Sequence, residues 1–166
     1  MGKEFERKWF LKDGVDLKKL NIIGKPVTIK DYYFNETTRL RNKNGKWFIT
    51  VKSLGTFNRD EFEFRINEKD IDFVPSPMLE KKRYLVRYEG QTFEINNFIN
   101  LGFELNLVEF ESPEEDYEVI VPDWCGHDVT SSPYFYGYKL YEIMKQHIEE
   151  GLRIKNNLLK IGLWIK

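Results

Sequence analysis

The sequence predicts a mainly β fold, and three observations carry that prediction. Charged and large apolar residues alternate along several segments, of which Glu4-Phe5-Glu6-Arg7-Lys8 is the first. Successive side chains of an extended chain point to opposite faces, so the three even-numbered charged residues would share one face. Asn44-Gly45 is typical of the type I′ turn of a β-hairpin. Residues 27–34 are mostly β-branched and aromatic, as strands usually are.

Eight strands follow from these patterns along the 166 residues. We expect them at 4–8, 27–34, 37–43, 46–53, 59–66, 81–88, 91–98 and 103–111. Three helices are expected at 12–24, 67–73 and 133–150. Asp16 and Asn67 are the expected N-caps of the first two, Gly24 would stop the first, and Gly151 would end or bend the third. Cys125 and His127 are expected in a loop before the last helix.

The length suits one compact domain, which we place at residues 1–150. A C-terminal extension follows at 151–166, and the sequence leaves it open between a helix, a strand and an oligomer contact. Lys and Arg number 26 and Asp and Glu 27, for a net charge of -1, which argues against a binder of duplex nucleic acid.

One cysteine and two histidines cannot form an internal disulfide and do not suffice for a zinc site of thiolate and imidazole ligands. No run of about 18 apolar residues is present, so we expect no membrane span. We therefore predict a soluble cytoplasmic protein.

Like charges recur in pairs separated by one residue. The acid pairs are Glu4/Glu6, Glu61/Glu63 and Glu109/Glu111, and the base pairs are Arg39/Arg41 and Lys81/Arg83. One interpretation is a β-sandwich whose charged faces meet solvent and whose apolar faces meet each other. The other is a closed antiparallel barrel with a charged lumen and helices covering its apolar outer face. Like charges two residues apart repel each other, so a face that only meets solvent has no reason to carry them in pairs. This observation favours the barrel.

The barrel interpretation predicts a particular chemistry. Clustered carboxylates without histidine favour hard divalent cations such as Mg²⁺ or Mn²⁺. Arginine binds phosphate oxygens through two parallel hydrogen bonds, and lysine binds them as a point charge. A lumen that holds both sets of side chains would suit a polyphosphate together with a metal ion, and catalysis there would neutralise charge on a transferring phosphoryl group.

These motifs resemble the CYTH domain family, also called the triphosphate tunnel metalloenzymes. The matching segments are Glu4-x-Glu6-x-Lys8, Arg39-Leu40-Arg41, Ile49-Thr50-Val51-Lys52, Arg59-x-Glu61-x-Glu63, Lys81-Lys82-Arg83-Tyr84, Phe93-Glu94-Ile95, Val108-Glu109-Phe110-Glu111, Pro122-Asp123-Trp124 and Val129-Thr130. The resemblance implies an eight-stranded antiparallel tunnel with helices outside. It also implies hydrolysis or cyclisation of triphosphates with Mg²⁺ or Mn²⁺.

The resemblance further implies a role for each lumen residue. The metal ligands would be Glu4, Glu6, Glu63, Glu109 and Glu111. The phosphate-binding residues would be Lys8, Arg39, Arg41, Lys52, Arg59, Lys81 and Arg83. The catalytic group would be Glu4, Glu6, Lys8, Glu61 and Glu63, with Glu61 and Glu63 binding a second ion or orienting water. Alternation along the strand, independently of the resemblance, predicts that Arg7 points away from Glu6 and forms a salt bridge on the outside.

The leading hypothesis is a metal-dependent triphosphatase that removes the terminal phosphate of inorganic tripolyphosphate or of a nucleoside or thiamine triphosphate. A class IV adenylate cyclase-like activity is an alternative, as is a non-catalytic nucleotide or polyphosphate binder. Two departures from the family motivate the last one: Asn96 stands where similar members usually carry Asp, and Gly137-Tyr138 replaces an Asn-Ser-like stretch. We expect a monomer or a homodimer.

Overall fold

The computed structural model describes residues 2–161, which form nine β-strands and one α-helix. The strands are β1 (Gly2–Leu11), β2 (Ile22–Tyr33), β3 (Thr38–Lys43), β4 (Lys46–Lys52), β5 (Asn58–Ile66), β6 (Leu79–Tyr88), β7 (Gln91–Phe98), β8 (Leu105–Ser112) and β9 (Cys125–Asp128). The helix is α1 (Gly137–Lys160). Three short 3₁₀ turns lie at Leu17–Lys19, Glu68–Asp70 and Pro133–Phe135.

Eight of the strands close into an antiparallel barrel. Their order around the barrel is β5-β4-β3-β2-β6-β7-β8-β1, and pairing of β1 with β5 completes the circle. The closing register joins Gly2 to Glu61 and Glu4 to Arg59. The predicted eight-stranded barrel is therefore confirmed, and the sandwich interpretation is wrong, because a sandwich would leave β1 and β5 as unpaired edges.

The ninth strand was not predicted. β9 pairs with the C-terminal part of β1, beyond the residues that pair with β5, and so covers an edge that would otherwise be open. Cys125 and His127 belong to this strand, so the expectation that they lie in a loop is wrong. Arg7 points outward, as predicted, and its guanidinium lies 2.7 Å from the Asp128 carboxylate.

The two short predicted helices are reduced to single turns. The segment predicted at 12–24 is helical only at Leu17–Lys19, although the Asp16 side chain caps that turn as expected. Gly24 lies inside β2, at φ 68°, where the pairing of β2 with β6 shifts register. The segment predicted at 67–73 is helical only at Glu68–Asp70, with Asn67 as its cap. One helical turn fixes several residues for one hydrogen bond, so segments this short rarely form helices.

The last helix is longer than predicted. α1 passes through Gly151 without ending and continues to Lys160. A glycine inside a helix costs about 1 kcal/mol relative to alanine, which neighbouring helix-forming residues can offset. The division into residues 1–150 and 151–166 remains a prediction, and residues 162–166 lie outside the described part of the chain. Among residues 2–161 no helix has the length and apolar character needed to span a membrane.

Two apolar clusters stabilise the barrel from different sides. One lies where the lumen-facing rows become apolar: Phe98 pairs with Lys81 and Leu107 with Phe10, and α1 packs Leu140 onto this end. α1 therefore covers one end of the barrel. The second cluster lies on the outer face of β1, β6, β7 and β8 and includes Trp9, Phe93, Val108 and Trp124. Partly buried residues of the 3₁₀ turn at 17–19 and of the segment after β8 cover it, where helices were expected.

Substitution of Met144 tests how much the packing of α1 contributes to the free energy of unfolding. Met144 of α1 is fully buried against the barrel end, so Met144→Ala should lower the free energy of unfolding by about 2–5 kcal/mol through lost burial and a residual cavity. Urea unfolding measures this change. Ile154→Ala, at a half-exposed position of the same helix, should change it by no more than about 0.5 kcal/mol. Equal effects of the two substitutions would contradict this account of α1.

Candidate active site

The lumen-facing side chains surround one cavity of about 190 Å³. All thirteen residues singled out from the sequence line it: Glu4, Glu6, Lys8, Arg39, Arg41, Lys52, Arg59, Glu61, Glu63, Lys81, Arg83, Glu109 and Glu111. They reach it because each lies at a lumen-facing position of its strand, as the cross-strand pairs Lys8↔Glu109, Lys52↔Glu61 and Arg39↔Thr50 show. Alternation along the strands therefore predicted the location of these residues correctly.

The carboxylates gather on one side of the cavity. Burial raises the pKa of the Glu111 carboxyl, and the charges of Glu4, Glu61, Glu94 and Glu6 raise it further. Burial also raises the pKa of Glu94; the charge of Arg83 opposes this shift, and the nearby Glu109 adds to it. Negative charge is thus crowded on this side, and an added cation would be attracted there.

Three cations partly neutralise this crowding. The Lys8 ammonium lies 3.4 Å from both Glu6 and Glu109 and donates a hydrogen bond of 2.9 Å to the Phe135 carbonyl. The pKa of Glu6 is lowered: burial acts to raise it, but the charges of Lys8 and Lys52 outweigh that effect. A buried ion pair of this kind is stable only while both partners are present.

The second and third cations are Lys52 of β4 and Arg59 of β5. The Lys52 ammonium approaches Glu4 to 2.8 Å and Glu61 to 3.1 Å, and Arg59 approaches Glu6 to 3.7 Å. Lys52 therefore holds carboxylates of β1 and β5 in place by ion pairing, and Arg59 does the same for a carboxylate of β1.

The donor set fits a hard divalent cation. Within residues 2–161 no three His, Cys, Asp or Glu side chains converge as ligands of one metal ion, and Glu6 and Glu4 are each paired with a lysine. The available ligands are nevertheless all carboxylates, which Mg²⁺ and Mn²⁺ prefer. The raised pKa values of Glu94 and Glu111 show that added positive charge would be favourable here. Glu63 adjoins this group through Glu61 and accepts a 2.6 Å hydrogen bond from the Thr50 hydroxyl.

The basic side of the cavity is formed by β3 and β6. Arg41 forms two hydrogen bonds with the buried Asp31 carboxylate, at 2.7 and 2.9 Å. Arg39 lies 3.9 Å from the same carboxylate, and its Nε has no hydrogen-bond partner among the described residues. Burial, together with the charges of Arg83 and Arg41, lowers the pKa of the Lys81 ammonium to about 7. The guanidinium groups of Arg39, Arg41 and Arg83 and the Lys81 amine therefore face the cavity from this side.

Two lining or supporting residues, Asp31 and Tyr33, were not singled out from the sequence, and Glu94 was named there only as part of a motif, without a role. Asp31 fixes Arg41, Glu94 lies 3.1 Å from Arg83, and Tyr33 accepts a 3.4 Å hydrogen bond from Arg39. The alternation of β2 and β7 could have located all three, because each stands at a lumen-facing position. Asn96 is buried, and its Oδ1 accepts a 2.9 Å hydrogen bond from Arg83 Nε. Asn96 thus orients Arg83 without neutralising its charge.

Asp31→Asn should destabilise the barrel, because it leaves the buried Arg41 without its partner. We expect the free energy of unfolding at pH 7 to fall by about 3–5 kcal/mol in urea titrations. Burial acts to raise the pKa of Asp31, but Arg41 and Arg39 hold it well below its usual range. Its contribution is therefore present above the unfolded pKa of about 3.9 and is lost as pH falls towards the folded pKa. The variant should lack this part of the acid-induced loss, and an unchanged pH profile would contradict the pairing.

Lys81 should take up a proton when a polyphosphate binds. With a pKa of about 7 its amine is mostly neutral at pH 8, and nearby phosphate charge would raise that pKa. Calorimetric titration with tripolyphosphate at pH 8, in buffers of different ionisation enthalpy, should show an uptake approaching one proton. Lys81→Met should abolish the uptake, while Lys82→Met, at the neighbouring outward-facing position, should preserve it. Equal uptake by both variants would assign the proton to another group.

Known proteins are similar to this chain in sequence. The chain is 32% identical over 160 residues to an inorganic triphosphatase of Acetivibrio thermocellus, covering 90% of this chain and 100% of that protein. It is 34% identical over 99 residues to an inorganic triphosphatase of Nitrosomonas europaea, covering 55% of this chain and 66% of that protein. No protein-family model matches.

Comparison of the fold with solved structures also points to an inorganic triphosphatase. A crystal structure of an inorganic triphosphatase superposes with a TM-score of 0.58 and 27% identity, covering 84% of this chain and 95% of the other. With a relative at this identity aligned over its full length, and with the tunnel and its charged rows in place, the chain belongs to the inorganic triphosphatases of the CYTH family.

Proposed function

We propose that the protein hydrolyses the terminal phosphate of inorganic tripolyphosphate in a reaction that requires Mg²⁺ or Mn²⁺. The observation that carries this proposal is the division of the lumen into a side rich in carboxylates and a side rich in bases, both within one cavity. A metal complex of a polyphosphate has positive charge at the cation and negative charge along the chain, so it complements both sides at once. The similarity to inorganic triphosphatases supports the same reaction class.

The basic side would bind the phosphate chain. Arg39 and Arg83 offer guanidinium groups, which match phosphate oxygens with pairs of donors. Arg41 is held in place by Asp31 and so contributes a fixed charge. Lys81 would become protonated as the substrate binds. Lys8, Lys52 and Arg59, which face the cavity from the acidic side, would contact phosphate oxygens between the two sides.

The acidic side would hold the metal ion, through Glu4, Glu6, Glu109 and Glu111 with Glu61 and Glu63 nearby. Glu94 joins this set because it lies close enough to Glu109 and Arg83 to respond to the charge of both. When bound, the ion would neutralise charge on the phosphoryl oxygens and orient water. Lys8 and Lys52 would keep the carboxylates in position meanwhile, since each contacts two of them.

The reaction is an in-line displacement at the terminal phosphorus. A water oxygen forms a new bond to the terminal phosphorus while the bond between that phosphorus and the bridging oxygen breaks. Pyrophosphate leaves with the electron pair of the broken bond. Arg39, Arg41 and Arg83 would stabilise the charge on the transferring and leaving groups. The proton of the attacking water would pass to a carboxylate of the acidic side, for which Glu61 and Glu63 are the proposed group.

The size of the cavity favours a compact substrate. About 190 Å³ lies below the roughly 300 Å³ at which pockets for drug-sized ligands begin, and most of the lining side chains are charged or polar. A base or thiazole ring would need volume beyond that taken by the phosphate chain. This supports inorganic tripolyphosphate over a nucleoside or thiamine triphosphate. We further infer a cytoplasmic location, since the single cysteine is a buried free thiol in the described chain.

Glu6→Gln tests the proposal directly. Removing one carboxylate charge from the acidic side should lower the turnover number for tripolyphosphate by at least about 10²-fold, the scale expected for loss of one electrostatic contact in a site. Phosphate release with Mg²⁺ and with Mn²⁺ measures the effect. Glu80→Gln, the same change at an outward-facing position of β6, should leave turnover unaltered.

Other outcomes would point to the alternatives. Cyclic nucleotide and pyrophosphate formed from ATP would indicate a cyclase. Thermal stabilisation by tripolyphosphate without any phosphate release would indicate a non-catalytic binder. Full activity of the Glu6→Gln protein would contradict the proposed metal side of the lumen.

A further inference from the structure

Tyr33 lies at the end of the cavity that α1 covers. It is the last residue of β2, its side chain lines the cavity, and only 7% of the residue is exposed. Its ring packs against those of Tyr138 and Tyr141 in α1, with ring centroids 5.7 and 5.2 Å apart. The phenol is therefore held between the barrel and the helix.

The Tyr33 hydroxyl contacts Arg39, which is held less firmly than its neighbour Arg41. Arg39 Nη1 donates a 3.4 Å hydrogen bond to the hydroxyl oxygen, and the Asp31 carboxylate lies 3.9 Å from Arg39 Nε. Arg41, by contrast, donates two hydrogen bonds to Asp31 through its Nε and Nη2. Within residues 2–161 the Tyr33 hydroxyl is thus the group that hydrogen-bonds the Arg39 guanidinium.

A neutral acceptor leaves Arg39 able to bind an anion. The Asp31 carboxylate neutralises Arg41 and occupies the Nε and Nη2 donors of that arginine. A phenol oxygen carries no charge, and on Arg39 it engages Nη1 instead. Arg39 therefore keeps its charge and the Nε and Nη2 pair, which is the kind of paired donor that matches phosphate oxygens.

Gly137 gives the Tyr33 hydroxyl the space that it occupies. Gly137 is the first residue of α1 and lines the same cavity. A Cβ built on Gly137 would overlap the Tyr33 hydroxyl and would lie 3.9 Å from Arg39 Nη1. The buried ring is packed against α1, so it could not move aside without leaving Arg39. A glycine at 137, one of the departures from the family pattern, is therefore what this contact requires.

We propose that Tyr33 is a positioning residue for the phosphate-binding Arg39, and that Gly137 permits the contact between them. The phenol holds Arg39 through Nη1, so that the Nε and Nη2 pair is presented to the phosphate chain. The role assigned to Tyr33 rests on the proposed function, because Arg39 has its phosphate-binding role there.

Tyr33→Phe, made in two backgrounds, tests this role. In the unaltered chain it should lower kcat/KM for tripolyphosphate with Mg²⁺ roughly tenfold, the scale of one lost hydrogen bond to a charged group. In the Arg39→Met background it should change kcat/KM by less than about twofold, because the phenol acts through Arg39. The same factor in both backgrounds would indicate a purely structural hydroxyl and would overturn the proposal.

Affinity provides the same comparison without turnover. Calorimetric titration with Mg²⁺ and a non-hydrolysable imido analogue of tripolyphosphate should show a roughly tenfold weaker dissociation constant for Tyr33→Phe. Tyr141→Phe is the matched control, because it removes a hydroxyl from the same aromatic cluster at a residue that does not line the cavity. It should leave affinity and kcat/KM unchanged. An equal loss in both variants would assign the effect to aromatic packing and contradict the proposal.

Gly137→Ala tests the contact from the side of the helix. Its Cβ should displace the Tyr33 hydroxyl from Arg39 and lower kcat/KM by about the same factor as Tyr33→Phe. The double variant Gly137→Ala/Tyr33→Phe should match Tyr33→Phe alone, because without the hydroxyl the nearest ring atom, Cζ, is 3.1 Å from that Cβ and a small shift relieves the contact. Losses that multiply in the double variant would show that the two residues act separately.

The unaltered protein distinguishes failure of this role from failure of the proposed function. If it hydrolyses tripolyphosphate and Tyr33→Phe hydrolyses it equally well, the role of Tyr33 is wrong and the function stands. If the unaltered protein neither binds nor hydrolyses tripolyphosphate, the proposed function is wrong and the role of Tyr33 is wrong with it.

Discussion

The rest of the structure depends on the mutual neutralisation of charges buried in the barrel lumen. Arg41 donates two hydrogen bonds to the Asp31 carboxylate, and Lys8 lies between Glu6 and Glu109. Each of these groups would be costly to bury alone, because removal from water disfavours an uncompensated charge by several kcal/mol. The barrel brings opposite charges together across neighbouring strands, and closure through β1 and β5 keeps them there. Apolar residues are accordingly placed on the outer face and at the end covered by α1.

Neutralisation within the lumen is incomplete, and this is what makes the site suited to a ligand. Glu94 and Glu111 have raised pKa values where carboxylates crowd together, and Lys81 has a lowered pKa among arginines. A divalent cation would relieve the first effect, and a polyphosphate would relieve the second. A metal–triphosphate complex would relieve both in one binding step. The interactions that leave charge unbalanced in the lumen would thus be the source of the proposed affinity for such a complex.

Much of the site could be predicted from the sequence, because strands have a simple period. Paired like charges at alternate positions located ten cavity residues, among them Glu4, Arg39 and Glu109, and the resemblance to the family added Lys8, Lys52 and Arg59. The choice between barrel and sandwich could not be made from the pattern alone, since both bury one face of each strand. It depends on whether β1 pairs with β5, a contact between residues more than fifty positions apart.

The sequence predictions that were wrong or incomplete also have physical causes. The segments at 12–24 and 67–73 carry helix caps, but one turn gains few hydrogen bonds for the residues it fixes, and Ile22 and Ile23 pair with β6 instead. Asp31 has Ile29 and Tyr33 two positions away on either side, so no paired like charge drew attention to it. The continuation of α1 through Gly151 reflects the good helix formers around it, whose combined propensity outweighs one unfavourable residue.

The central claim is that the two sides of the lumen bind a metal ion and a polyphosphate together. Anomalous diffraction from crystals soaked with Mn²⁺ and a non-hydrolysable imido analogue of tripolyphosphate tests it most directly. The account predicts a manganese peak within about 2.5 Å of carboxylate oxygens that include those of Glu6 and Glu109, with phosphate groups against Arg39, Arg41 and Arg83. Manganese bound elsewhere, or phosphate groups outside the lumen, would contradict it.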